Sequence, residues 1–329
     1  MLILTAQDVQ QALPMDQTIG AMKSAFAALS AGRAQVPLRT QLPVSIHEGV
    51  SLIMPAYVLD EAGEALAVKV VSVFPHNIKL NLALIQAAVL VLEAETGRPV
   101  CLLEGGTLTA IRTGAASGAA TDLLARPDAR VAAIFGAGVQ ARTQLQAVCS
   151  CRPIQTAWIY DTNRLRMETF ISEMTGLTPN TVDLRLADSP SQAVQDADVI
   201  CTATTSIKPV FSDSDLKPGV HINAVGAYTP EMQEIPPETV KRALVVIDSR
   251  AASLAEAGDL VRAILQGHIT AKHIHAELGE IVLGKKGGRS SEDQITFFKS
   301  VGVAVQDAAA ARLAMENALR LNLGQQVSW

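Results

Sequence analysis

Residues 131–141 read Val-Ala-Ala-Ile-Phe-Gly-Ala-Gly-Val-Gln-Ala. Gly136, Gly138 and Ala141 form a G-x-G-x-x-A pattern directly behind a short apolar run. Such a run suits a fully buried parallel strand. Gly136 fits a tight turn, Gly138 lets a backbone approach a pyrophosphate, and Ala141 lets the following helix pack on the strand. The free N–H groups at the start of that helix attract anions. A second apolar run, 156–160, ends at Asp161, 23 positions beyond Gly138. An acid there accepts hydrogen bonds from an adenosine ribose and repels a 2′-phosphate. The plainer alternative is an ordinary glycine turn with Asp161 as a helix cap. The order strand, loop, helix, strand, acid favours a dinucleotide site, and Asp161 favours NAD over NADP. Arg164, just beyond, is the residue that would accommodate the extra phosphate of NADP.

Three cations have a claim to chemistry. Arg39 follows Pro37 just before a strand-like run, Lys69 lies in the apolar Ala-Val-Lys-Val-Val, and Arg112 sits among Thr, Ala and Gly. Lys69 could instead snorkel from an exposed edge, and either arginine could be an ordinary solvated side chain. Facing one substrate together, they would hold a carboxylate and stabilise developing negative charge. Tyr228 and His76 are the uncharged acid–base candidates near predicted loops. The six histidines lack metal-binding spacing, and His273-Ile274-His275 reads as a structural or surface segment. Cys149-Ser150-Cys151 has no second pair at ligand spacing, so no metal is expected. No G-x-S-x-G nucleophile motif is present.

Elements must position these residues. Strands are predicted at 130–135, 155–160, 182–187, 198–203, 220–225 and 243–248, with helices near 139–149, 163–175 and 190–196. That alternation implies an α/β fold, a Rossmann-type doubly wound parallel sheet. Ligands of such sheets sit at the C-terminal strand ends, here 136–140, 201–205 and 223–228. The first 115 residues read differently. A helical stretch at 8–29, interrupted at Pro14, precedes strands at 40–44, 51–54, 65–73, 88–92 and 99–104, which suggests a mostly antiparallel sheet. A small-residue helix at 108–124 leads into the nucleotide fold, and 297–321 reads as one long alanine-rich helix returning to the first domain. The expected organisation is a discontinuous α+β substrate-binding and dimerisation domain, 1–115 with 305–329, around a dinucleotide domain at 116–304.

The 329 residues are 49% hydrophobic but only 4% aromatic, which suits an α/β core and two domains. A formal net charge of −5 leaves no basic footprint for nucleic acid. The apolar stretch 82–92, interrupted by Gln86, is too short to span a membrane. The first residues lack a basic region and cleavage site, and four cysteines are too few for a disulfide scaffold, which points to the cytoplasm.

Several segments together resemble the ornithine cyclodeaminase and mu-crystallin family: Val36-Pro37-Leu38-Arg39, Met54-Pro55-Ala56-Tyr57, Val68-Lys69-Val70, Ala110-Ile111-Arg112-Thr113, the glycine motif, His221-Ile222-Asn223-Ala224-Val225-Gly226, Ala276-Glu277-Leu278-Gly279-Glu280 and Phe298-Lys299-Ser300. The resemblance runs from about residue 5 to 320. It implies a homodimer. It implies substrate carboxylate contacts from Arg39 and Lys69, with Arg112 and nearby Thr113 serving cofactor phosphates and, for Arg112, the substrate. Gly136, Gly138, Val139, Gln140, Asp161, Thr202, Asn223, Ala224 and Val225 would line the dinucleotide, Ser300 would reach the nicotinamide side and Val301 the substrate.

One departure redirects the chemistry. Cyclodeaminases of the family carry an aspartate, acting on the ornithine side-chain amine, where this chain has Tyr228. A carboxylate pairs with an ammonium and takes its proton at neutral pH, whereas a phenol with a pKa near 10 does neither well. The family's lysine after this loop is replaced by Met232. Members without the aspartate resemble cyclic imino acid reductases and alanine dehydrogenases. The expectation is therefore an NAD-dependent oxidoreductase on an imino acid/L-amino acid pair, with NADP admitted as an alternative cofactor. Lys69 and Tyr228 are the catalytic candidates. Ornithine cyclodeaminase and a crystallin-like binding protein are the rival readings.

Overall fold

In residues 63–73 every second side chain from Ala65 to Val71 is buried, and Lys69 is one of that set. Period-two burial is what a strand with one covered face requires. The computed structural model describes residues 1–80, 82–178 and 182–329, and these divide into two units, Met1–Arg112 with Val303–Trp329, and Thr113–Gly302.

In the first unit, strand Gly63–Val73 pairs antiparallel with Gly49–Asp60 on one side and Ile85–Leu92 on the other. The sheet continues through Pro99–Glu104 and Leu2–Leu4 to Gln325–Gln326, and on its other side to Ala34–Gln35 and Thr40–Val44. Among the described residues all its pairings are antiparallel except Leu2–Leu4 with Pro99–Glu104. The covering helices are Ala6–Ala12, Met15–Ser30 and Ala304–Leu321. Thr5 and Asp8 form a capping box at the first, and Pro14 separates it from the second. Ala304–Leu321 buries Ala308, Ala309, Ala310, Ala311 and Ala314. Alanine costs no side-chain entropy in a helix and permits close packing on the sheet. Two polar side chains tie this helix down. Arg312 pairs with Asp60 at 2.7 Å and donates to the Gly63 carbonyl at 2.7 Å, closing the hairpin, and Asn317 donates to the Ala12 carbonyl at 2.8 Å.

The second unit is an α/β domain. Among the described residues its parallel sheet has eight strands, in the order Asp183–Leu186, Thr156–Tyr160, Val131–Phe135, Val199–Thr202, His221–Ala224, Thr296–Lys299, Leu244–Ile247 and Ile274–Glu277. Two of these were not expected from sequence. His273-Ile274-His275 reads from sequence as a structural or surface segment; in strand Ile274–Glu277 the side chains of Ile274 and Ala276 are buried. Thr296–Lys299 corrects the single helix predicted over 297–321. Its Thr-Phe-Phe side chains suit a buried strand, and Gly302, at φ +83°, turns the chain before the helix starts at Ala304.

His221 lies fully buried in this sheet. Its Nδ1 is 2.9 Å from Thr296 Oγ1 and its Nε2 is 3.1 Å from Asn223 Oδ1, while Asn223 donates to Thr121 Oγ1 at 2.9 Å. Burial, followed by the Arg289 charge, pushes the His221 pKa down to about 3. The unfolded chain therefore binds a proton that the folded chain refuses between about pH 6.5 and 3, so stability falls with pH through that window. The expected loss approaches about 1.4 kcal/mol per pH unit from this residue. Thermal unfolding from pH 7 to 4 should show a flatter pH dependence for His221→Asn than for the wild type. Equal slopes would mean that His221 is not the group refusing the proton.

Candidate active site

Lys69 projects from the covered face of the central strand of the first unit and is 2% exposed. Its cross-strand neighbours, Met54 and Val89, are apolar. Lys69 Nζ lies 2.7 Å from Asp307 Oδ2. Arg112, on helix Gly105–Leu124, donates from Nε to Asp307 Oδ1 at 2.9 Å and from Nη1 to Gln306 Oε1 at 3.0 Å. Arg39 is half-buried, and its charge reaches Lys69. Burial is the largest influence on Lys69. Together with the Arg112 and Arg39 charges it outweighs the opposing pull of Asp307 and brings the pKa down to about 8. Lys69 and Arg112 share the single carboxylate of Asp307, which leaves this buried trio short of one negative charge. Such a cluster can accept an anion, and guanidinium groups favour a planar carboxylate.

Asp307 and Gln306 were not among the sequence candidates. The only sequence signal was a Gln-Asp pair opening an otherwise alanine-rich helix. Gln306 Oε1 also accepts from the Val303 N–H at 2.8 Å, while its buried Nε2 has no hydrogen-bond partner among the described residues.

The second unit carries the glycine motif. Strand Val131–Phe135 lies between its chain successor, Thr156–Tyr160, and Val199–Thr202, so the strand order reverses beside it. That reversal is where parallel α/β sheets bind ligands. Gly136 has φ +93°, and a Cβ there would stand 2.8 Å from the Ala203 carbonyl oxygen. Gly138 caps helix Val139–Cys151 with no side-chain hydrogen bond, and a Cβ added to it would meet nothing within 4 Å. The helix start therefore offers open backbone N–H groups to an anion. Val139 is exposed, Ala141 is buried, and Gln140 keeps a buried Oε1 without a partner among the described residues. Asp161 accepts from Ala137 N–H and Asn163 N–H, each at 2.9 Å, which fixes its carboxylate beside the glycine loop. These residues fit a dinucleotide: an open helix start for its pyrophosphate and a carboxylate for its ribose.

The other expected contacts divide into two groups. Ala224 and Val225 end the strand His221–Ala224 on the same sheet edge, followed by half-buried Tyr228. Thr202, Asn223 and Ser300 have their side chains committed internally. Thr202 donates to Glu234 at 2.8 Å, Asn223 joins His221 and Thr121, and Ser300 donates to Asp248 at 2.9 Å. The Val301 N–H also donates to Asp248, at 2.8 Å. Thr113 is buried, with its carbonyl accepting from Gln144 at 3.3 Å. His76 lies at the surface, 3.2 Å from Glu48. Burial pushes the Cys149 thiol up to about 12, and among the described residues no group of three or more His, Cys, Asp or Glu is placed to hold a metal. Among them, too, no helix is long and apolar enough to cross a membrane.

The Ornithine cyclodeaminase/mu-crystallin family matches residues 1–322. A Delta(1)-pyrroline-2-carboxylate reductase of Bacillus cereus is 39% identical over 333 residues, covering 100% of both chains. The structure of Thermococcus litoralis Delta(1)-pyrroline-2-carboxylate reductase in complex with NADH and L-proline superposes with a TM-score of 0.94 at 43% identity, covering 99% of this chain and 100% of that one. An archaeal alanine dehydrogenase dimer with bound NAD gives a TM-score of 0.91 at 32% identity, covering 100% and 99%.

The glycine loop yields a direct test. Gly136→Ala forces a side chain into a left-handed backbone against the Ala203 carbonyl, at a cost of about 1–3 kcal/mol, whereas Gly138→Ala meets open space. Chemical denaturation should show a clear stability loss for the first and little for the second. Equal stabilities would contradict the strained turn.

Proposed function

Because the chain belongs to the ornithine cyclodeaminase/mu-crystallin family, we propose that it is an NAD-dependent oxidoreductase that reduces a cyclic imino acid of the Δ1-pyrroline-2-carboxylate type to the L-amino acid. The observation that carries this reading is the buried cluster of Lys69, Arg112 and Asp307 with Arg39 beside it, a site short of one anion. Its reductase relatives act on carboxylates of this type.

Arg39, Lys69 and Arg112 hold the substrate carboxylate. Thr113, Gly136, Gly138, Val139, Gln140 and Asp161 hold the dinucleotide, with Arg112 reaching its phosphates and Thr202, Asn223, Ala224, Val225 and Ser300 shaping its bed. The dinucleotide, when bound, supplies hydride to the imine carbon. Lys69, with a pKa near 8, is still largely protonated at neutral pH and delivers the balancing proton to the imine nitrogen, directly or through one water. Tyr228 and Val301 are the proposed contacts of the substrate's uncharged ring. No carboxylate stands at position 228 to receive an ornithine ammonium, and burying that charge unpaired is costly. Asp161 sets the preference for NADH over NADPH, and Arg164 is already engaged by Glu168 and Asp188.

The working assembly is a homodimer. Ile53 and Val70 pair across strands on the sheet face opposite Lys69 and are exposed, as are Leu38 and Leu42 nearby, so an apolar strip awaits cover. A related alanine dehydrogenase is a dimer.

Assays of NADH consumption with Δ1-pyrroline-2-carboxylate, beside proline and ammonia formation from ornithine with catalytic NAD, test the reading. The expected result is imine reduction, faster with NADH than NADPH, and little or no proline from ornithine. Efficient cyclisation of ornithine would overturn it. Lys69→Ala removes a desolvated charge contact of about 2–5 kcal/mol and should lower kcat/KM at least about a hundredfold while the protein stays folded. Near-normal kcat/KM would return Lys69 to a packing role.

A further inference from the structure

Asp307 is a carboxylate 1% exposed with a cation on each oxygen: Lys69 Nζ at 2.7 Å and Arg112 Nε at 2.9 Å. It sits in the first turn of Ala304–Leu321, where a helix favours negative charge. Beside it, Gln306 is fixed through its oxygen to Arg112 and Val303, and its buried Nε2 remains a donor for a bound acceptor. Deepening the reductase reading, on which it rests, we propose that Asp307 is the positioning residue of this site: it fixes Lys69 and Arg112 for the substrate carboxylate and keeps Lys69 protonated as the proton donor to the imine nitrogen.

The charged groups facing Lys69 are Asp307 from the last helix, Arg112 from helix Gly105–Leu124 and Arg39 from the segment before strand Thr40–Val44. Its neighbours on the adjoining strands, Met54 and Val89, carry no charge. Burial and both arginines favour the neutral amine, and Asp307 alone opposes them. During reduction the imine carbon receives hydride, and the C=N π pair moves to nitrogen and takes the proton from Lys69 Nζ. The neutral amine left beside Asp307 regains its proton from water. Without Asp307 the lysine would lose its proton at lower pH, and Lys69 and Arg112 would lose the carboxylate that fixes them.

The test compares wild-type protein, Asp307→Asn and Arg39→Gln. The pH dependence of kcat/KM reports groups of the free enzyme, and the substrate's own titration is common to all three. The wild-type alkaline limb is expected near pH 8. In Asp307→Asn it should move about 1–3 units lower, and the KM for the imino acid should rise as Lys69 and Arg112 lose their anchor. In Arg39→Gln, which removes an opposing charge, it should move higher even though KM rises. An NMR titration of ¹⁵N-lysine-labelled protein without ligands, with Lys69 assigned by Lys69→Arg, should show the same downward shift in Asp307→Asn. Limbs and Lys69 titrations that coincide in wild type and Asp307→Asn would overturn the proposal. If Asp307→Asn does not fold, an unmoved limb in Arg39→Gln overturns it instead. A wild type that does not reduce the imino acid defeats the functional reading, and the NMR titration still decides the role of Asp307.

Discussion

A single buried carboxylate organises the first unit. Asp307 joins the central strand through Lys69 and the helix Gly105–Leu124 through Arg112, so three elements converge on one side chain. Desolvating these charges costs several kcal/mol per ion, and the close contacts offset that cost only in part. Losing one partner would leave another stranded, at about 3–5 kcal/mol. Hydrophobic side chains in the same places would stabilise the unit as well or better. The cluster therefore makes most sense as the proposed binding device, whose missing negative charge a ligand carboxylate would supply.

The second unit uses buried carboxylates in a different way. Glu234 accepts from Thr202 Oγ1, from the N–H and Oγ1 of Thr204, and from Gly226 N–H. It thereby holds the two loops that follow strands Val199–Thr202 and His221–Ala224. Burial pushes its pKa up, and the nearby Lys299 charge opposes that. Lys299 is itself paired with Asp259 at 3.0 Å, and Asp259 accepts from the Glu234 and Ile235 N–H groups. Asp248 gathers Ser300, Val301 and Gly302 at the end of strand Thr296–Lys299. Loops at the end of a sheet have backbone donors with no strand partner, and these acids satisfy them. The result is a sheet edge whose loops are tied down by buried carboxylates.

The residues differ in how plainly sequence announces them. The glycine loop and Asp161 were legible because their spacing is imposed by local backbone geometry, a left-handed turn at 136 and an open helix start at 138. Lys69 stood out as a charge in an apolar strand. Asp307 did not, because its partners lie 195 and 238 positions away in the chain and only folding brings them together. Strand Thr296–Lys299 was hidden for a related reason. Four residues carry little periodicity, and the alanine-rich helix beyond Gly302 drew them into its pattern. The family resemblance makes Thr202, Asn223 and Ser300 cofactor contacts, and in the structure their side chains brace the sheet edge from within. Buried hydrogen-bond networks of this kind have no fixed sequence spacing and escape motif reading.

The central claim is that a substrate carboxylate supplies the charge the Lys69–Arg112–Asp307 cluster lacks. The most direct measurement compares NADH-dependent reduction of Δ1-pyrroline-2-carboxylate with that of Δ1-pyrroline, the same ring without the carboxylate. The account requires kcat/KM to fall at least about a hundredfold when the carboxylate is removed, since a desolvated charge pair is left half-made. Comparable kcat/KM for the two imines would contradict it.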